Sequence, residues 1–121
     1  VSQLFFDNGN FFRFRDKAAG LGITLPLVAG IMPVLDLKQL PRFEELSGCV
    51  IPPDLPAFLA DATVGEDVAA RGVAYATRQC EELLQGGVAG LHLYCLNKHT
   101  SVTRITENLR ALGYFPAPVA A

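Results

Sequence analysis

Positive charge is scarce in this chain: ten Lys and Arg stand against twelve Asp and Glu over 121 residues, a net charge of −2. No stripe of Lys or Arg gathers anywhere, which removes the electrostatic footprint of a nucleic-acid binder. Apolar runs are short, none near the roughly 18 residues of a membrane span. The opening residues show neither the charged lead-in nor the cleavage pattern of a signal peptide. Cysteine is limited to Cys49, Cys80 and Cys95, an odd count with no pair at C-x-x-C spacing. The expectation is three reduced, mostly buried thiols in a cytosolic, cytoplasmic protein. His92 and His99 have no Cys or carboxylate at a spacing that would complete a ligand set, so no metal site is expected. G-x-S-x-G, a post-strand G-x-G-x-x-G, the P-loop and H-E-x-x-H are all missing, and with them any self-sufficient catalytic set.

What remains is apolar. Half the residues are hydrophobic and 18% are charged, a balance suited to a piece that expects covering surfaces. The length fits one domain over residues 1–121. Three apolar runs each hand over to a helix-like segment: Leu4–Phe6, Leu25–Ile31 and Leu91–Leu96. The first begins at once, with no initiator Met and no polar lead-in, so the chain reads as the tail of something longer.

The first unit runs from Val1 to about Gly22. Asp7-Asn-Gly-Asn10 offers helix caps. Phe11, Phe14, Ala18 and Leu21 then form one helical stripe, and Gly20 and Gly22 suit its end. In the second unit a nearly all-apolar strand, expected of a parallel strand covered on both faces, ends at Pro33. Asp36-Leu-Lys-Gln39 has N-cap and N3 spacing ahead of the stripe Leu37, Leu40, Phe43 and Leu46. Pro41 lacks an N–H, so the helix starts nearer Leu40 or its first turn is irregular. Asp54 to Asp61 holds one short helix. A capping box at Thr63-Val-Gly-Glu66 precedes the longest helix, with Ala69, Val73, Ala76, Cys80, Leu83 and Leu84 inward and Gly86-Gly87 as its stop. The third unit is a strand at Leu91–Cys95, a loop at Leu96–His99, and a helix capped by Thr100 or Ser101. That helix carries Val102, Ile105, Leu109 and Leu112 on one face.

Alternating strands and helices argue for an α/β fold of three parallel βα units, with strands near residues 2–6, 24–29 and 90–95 in that spatial order. Three strands cannot close a barrel. The units form either a small open sheet or the last part of a (β/α)8 (TIM) barrel, and periodicity does not separate the two. In both, binding chemistry belongs at the carboxyl ends of the strands, where Gln3, Gln39, Asn97 and Lys98 would lie.

Four motifs narrow the choice. Gln3-Leu-Phe-Phe-Asp7, Arg13-Phe-Arg-Asp16, Gly30-Ile-Met-Pro-Val34 with Lys38-Gln39, and Tyr94-Cys-Leu-Asn97 follow one another across the whole chain. Together they closely resemble the C-terminal part of the bacterial methylenetetrahydrofolate reductase family. The resemblance implies the last three strand–helix units of a flavin-containing (β/α)8 barrel. It also implies an oxidoreductase of one-carbon metabolism in which NAD(P)H reduces FAD. The flavin then passes hydride to 5,10-methylenetetrahydrofolate, giving 5-methyltetrahydrofolate. Such cofactors carry the hard chemistry while the protein positions the reactants.

By this resemblance, Gln3 contacts both folate and the nicotinamide substrate, and a carboxamide suits a pterin edge because it both donates and accepts. Gln39 is a second folate contact, Phe43 stacks on substrate, and Tyr94 and Leu96 border the site. Each also has a purely structural role open to it: Gln3 as a strand-end cap, Gln39 as the N3 residue of a capping box, Phe43 and Tyr94 as core rings. Lys98 departs from the family pattern, in which bacterial relatives can carry Arg that contacts the folate. It keeps the charge but loses the bidentate fork, and its structural alternative is an ordinary exposed lysine. Asp7 and Asp16 read as a cap and as a surface partner for an Arg.

The family's general-acid Glu, its Arg-Gly-Asp motif and most FAD contacts lie on earlier strands, so no catalytic residue is assigned to this chain. It is expected to need the N-terminal half of the barrel, to be inactive alone, and to use folate and NAD(P)H as partners. A homo-oligomer is left open, and no nucleic acid or membrane is expected. The alternative from another class is a non-catalytic α/β module that pairs with another chain.

Overall fold

Asp7 opens the first helix as its side chain accepts from the Gly9 N–H at 2.9 Å. A carboxylate here satisfies one of the unpaired N–H groups of the first turn. In the computed structural model, which describes residues 1–61 and 67–116, seven elements follow in order. They are α1 (Asn8–Gly20), β1 (Val28–Ile31), α2 (Gln39–Ser47), α3 (Asp54–Ala60), α4 (Val68–Gln85), β2 (Gly90–Leu93) and α5 (His99–Ala111). The expected capping box at Thr63–Glu66 lies outside the described residues. Asp67 caps α4, accepting from the Ala70 N–H at 2.6 Å.

β1 and β2 are parallel, with Val28 opposite Gly90 and Ile31 opposite Leu93. Parallel strands need a long crossover, and α2, α3 and α4 supply it. One core lies where α4 and α5 cover the strands, built from Ala29, Ile31, Val73, Ala76, Cys80, Leu83, Ile105 and Leu109. Small residues on α4 let α5 approach, and Asn108 donates from its amide to the Thr77 hydroxyl at 3.2 Å. A second core joins Phe6, Met32, Val34, Leu40, Phe43, Leu55, Leu59 and Tyr75. α4 serves both, and its Gly72 lies so close to Val34 that a Cβ there would overlap the Val34 carbonyl oxygen.

The first expected strand is not part of a ladder. Ser2 donates its N–H to the Val28 carbonyl at 2.9 Å, the start of parallel pairing. The return bond then fails: the Gly30 N–H goes to the Ser2 hydroxyl, also at 2.9 Å. A serine side chain has displaced its own carbonyl as acceptor. The described residues thus hold two parallel strands, with the first run lying alongside β1 as an irregular third.

Stripes predicted from periodicity are half realised. Phe11 and Ala18 of α1 are buried, whereas Phe14 and Leu21 are 55% and 72% exposed. In α2, Leu40 and Phe43 are buried and Leu46 is 68% exposed. In α5, Ile105 and Leu109 are buried while Leu112 is exposed. Ala18 aside, each helix thus buries only the part of its stripe that one of the two cores covers. The thiols divide likewise: Cys80 is buried, Cys49 half-buried and Cys95 exposed, all unpaired. Among the described residues no helix is long and apolar enough to cross a membrane, and no His, Cys, Asp and Glu cluster could hold a metal.

Candidate functional site

Both strands end at a cavity of about 60 Å³ whose lining includes Met32, Pro33, Gln39, Tyr94, Leu96 and Lys98. Gln39 arrives there through the turn before α2. The Gln39 N–H donates to the Asp36 carbonyl at 3.0 Å, and the Asp36 carboxylate accepts from the Lys38 N–H at 2.9 Å. The helix proper starts at Gln39, so Pro41 falls in its first turn, where a missing N–H costs no helical bond. The Gln39 side-chain carbonyl accepts from the N–H groups of Leu35 at 2.8 Å and Asp36 at 3.3 Å. That completes a capping-box-like arrangement and fixes which end of the carboxamide faces the loop. Its NH₂ is the end left to meet a ligand.

Tyr94 comes from just beyond β2. Its N–H donates to the Ile31 carbonyl at 2.8 Å, which carries the pairing one residue past the strand. Its hydroxyl donates to the Ser2 carbonyl at 3.0 Å, and its ring stands edge-on to His92 at 4.6 Å. The Gly30 backbone lies under this ring: a Cβ on Gly30 would stand 2.8 Å from the Tyr94 ring and 2.6 Å from the Ser2 oxygen. The chain then reverses in a turn closed by the Lys98 N–H donating to the Cys95 carbonyl at 2.8 Å. Lys98 is exposed and is itself the N-cap of α5, with no side-chain cap bond. The caps expected at Thr100 or Ser101 therefore lie inside the helix.

Gln3 is not in this lining. It borders a separate, more apolar cavity of about 500 Å³ together with Phe5, Phe11, Phe14, Cys49 and Val50. Its side-chain oxygen accepts from the Leu4 N–H at 3.1 Å. Phe43 is a core ring: it is 5% exposed and stacks on Phe6 with centroids 6.5 Å apart. Gln39, Tyr94, Leu96 and Lys98 thus line one cavity, Gln3 borders another, and Phe43 lies in the core.

A third cavity, of about 290 Å³, escaped the sequence reading; its lining includes Asp7, Asn8, Asp54, Tyr75, Arg78 and Gln79. The Asn8 amide donates to the Gln79 carbonyl at 3.1 Å, and the Gln79 amide donates to the Phe5 carbonyl at 2.9 Å. Burial, and then the Asp54 carboxylate beside it, pushes the Tyr75 hydroxyl up to about 12. The available signal was the spacing of Tyr75 and Gln79, one helical turn apart and so on one face of α4.

Residues 1–110 match the family model described as Methylenetetrahydrofolate reductase. The chain is 36% identical over 110 residues to Methylenetetrahydrofolate reductase (NADH) 1 of Arabidopsis thaliana, covering 90% of this chain and 19% of that protein. It is 32% identical over 120 residues to Methylenetetrahydrofolate reductase 1 of Schizosaccharomyces pombe, covering 98% of this chain and 20% of that protein. Against 5,10-methylenetetrahydrofolate reductase of Escherichia coli the identity is 32% over 103 residues, covering 81% of this chain and 33% of that protein. The chain therefore spans about a fifth of the plant and yeast relatives and a third of the bacterial one.

Proposed function

Because this chain belongs to the methylenetetrahydrofolate reductase family, we propose that it is part of an enzyme that reduces 5,10-methylenetetrahydrofolate to 5-methyltetrahydrofolate with NAD(P)H through FAD. Its share of the task is to hold the folate and nicotinamide substrates. We read β1, β2 and the segment before α1 as the last three staves of a (β/α)8 barrel, with the remaining staves supplied by the rest of the domain. The observation that carries this reading is the meeting of Gln39, Tyr94, Leu96 and Lys98 at the carboxyl ends of two parallel strands. That is where barrels place their chemistry.

Each residue has a task it can perform. The Gln39 NH₂ donates to an acceptor on the pterin while its oxygen stays on the loop. Leu96, 68% exposed, offers apolar contact, and the Lys98 ammonium attracts a carboxylate. Gln3 joins the site only when neighbouring staves enclose it, whereas Phe43 supports it as a core ring packed on Phe6. At about 60 Å³ the strand-end cavity is far below the size of a folate, nicotinamide or flavin pocket, so each of these needs the neighbouring staves to complete its site. When bound to the whole barrel, FAD would supply the hydride chemistry.

The test is a chimera in which this chain replaces the matching segment of the Escherichia coli relative. The expected result is a flavin-loaded enzyme that turns over methylenetetrahydrofolate, with Lys98→Ala raising KM for the folate. A folded, flavin-loaded chimera without turnover would overturn the proposal and favour a non-catalytic α/β module.

A further inference from the structure

The turn between β2 and α5 breaks two local rules within three residues. Leu96 and Asn97 both hold positive φ, at 46° and 65°, and neither is glycine. Asparagine tolerates the left-handed region, because its short polar side chain bonds locally; leucine, which lacks such a group, does not. The next residue, Lys98, begins a 13-residue helix as an N-cap without a cap bond. A lysine is poorly placed there, since its charge faces the positive end of the helix dipole. Nearby turns obey the rules: Gly22, Gly48, Gly87 and Gly113 take the other positive-φ positions among the described residues. Violations of local preference gathered in one short segment mark a site where another demand wins.

The demand is visible in what the turn presents. Leu96 and Lys98 both line the strand-end cavity opposite Gln39. We propose that Asn97 is a positioning residue: its left-handed backbone holds the Cys95–Lys98 turn in the one conformation that presents Leu96 and Lys98 together to a carboxylate-bearing ligand held by Gln39. The proposal rests on the folate reading of that cavity. Asn97 acts through its backbone, so its side chain need not touch the ligand.

The test measures binding of 5-methyltetrahydrofolate by amide chemical-shift titration to the flavin-loaded chimera described above, in which this chain replaces the matching segment of the Escherichia coli relative, with Asn97 intact and as Asn97→Gly, Asn97→Ala and Asn97→Val. Glycine enters the left-handed region freely, alanine with strain, and a β-branched residue least readily. Asn97→Gly should bind within about twofold of wild type. Asn97→Ala should be weaker, and Asn97→Val weaker still by roughly 5- to 30-fold, as the turn relaxes. In both weakened variants the shifts at Gln39 should survive while those at Leu96 and Lys98 fade. A merely structural role would weaken all contacts alike. Binding that Asn97→Val leaves unchanged would overturn the proposal alone. Loss in Asn97→Gly equal to that in Asn97→Val would overturn it in favour of direct contact by the carboxamide. A folded, flavin-loaded chimera with Asn97 intact that shows no shifts would overturn the folate reading, and this proposal with it.

Discussion

The Tyr94 hydroxyl donates to the Ser2 carbonyl at 3.0 Å, across 92 positions of sequence. It occupies the acceptor that the Gly30 N–H would use if the first segment were a regular third strand. A side-chain hydroxyl on each partner, Tyr94 and Ser2, thus replaces one backbone bond. Tyr94→Phe should cost about 0.5–1.5 kcal/mol and speed amide exchange at Ser2 more than at Ala29. Unchanged exchange at Ser2 would show that the segment is held by its apolar residues instead.

Gly72 and Gly86 both lie where a side chain would collide, but with different neighbours. At Gly72 the obstacle is the Val34 backbone; at Gly86 it is mainly the tip of the Phe12 ring, 2.5 Å from an added Cβ. A ring tip can swing aside and a carbonyl in a packed loop cannot. Gly72→Ala should therefore destabilise by about 1–3 kcal/mol or more, and Gly86→Ala by less. Urea midpoints of the two variants check the order.

Burial pushes the Cys80 thiol up from 9.0 to about 12. The folded chain therefore keeps this proton while the unfolded chain loses it. The resulting stability is complete below about pH 9 and is lost as pH rises towards 12. At pH 10 the loss from Cys80 alone is on the order of 1 kcal/mol. Cys80→Ala should be less stable than wild type at pH 7 yet show a flatter decline above pH 9. In native chains a thiol reagent should label Cys95 well before Cys80. Equal labelling rates would show that the core around Cys80 opens readily.

Gln39 serves the fold with its oxygen and, on the reading above, the ligand with its nitrogen. Gln39→Glu keeps an acceptor for Leu35 and Asp36 and adds negative charge near a helix start, so stability should hold or rise slightly. Folate binding should weaken roughly 5- to 150-fold with the donor gone. Gln39→Ala should harm both. Thermal melting and ligand titration on the same samples separate the two roles.

The α/β class, the helices and the parallel pair were legible because periodicity and caps carry them: Asp7 and the Gly86-Gly87 stop lie where their chemistry suggests, while Asp36 braces the turn ahead of α2, whose N-cap is Lys38. The first strand was over-read. Leu4-Phe-Phe6 has strand composition, but the competition between the Ser2 hydroxyl and its own carbonyl leaves no mark in an apolar run. The exposure of Phe14, Leu46 and Leu112 was equally hidden, since a stripe states which face is apolar and not what covers it. Lys98 as the N-cap was missed because propensity favours Thr100 and Ser101, and the left-handed turn before it overrides propensity. Phe43 shows the limit of motif reasoning: the same ring fits a substrate stack or a core, and in this structure it stacks on Phe6.

α1 and the segment before it are fastened to α4 by polar bonds made over long stretches of chain. Asn8 and Arg15 reach the carbonyls of Gln79 and Gly86, each 71 positions away, and Gln79 returns to Phe5 across 74. α4, β2 and α5 are neighbours in sequence and can assemble without closing such a loop. This arithmetic predicts an order of assembly: the C-terminal half should gather first and the N-terminal arm dock late, because long loops must be closed before their contacts repay the entropy. The same arm should be the first part to let go on warming, with the Phe11 amide exchanging at a lower opening free energy than that of Ile105. The N-terminal arm then behaves as a latch on a pre-formed C-terminal half, and ligands that grip only the β2–α5 turn would outlast its release.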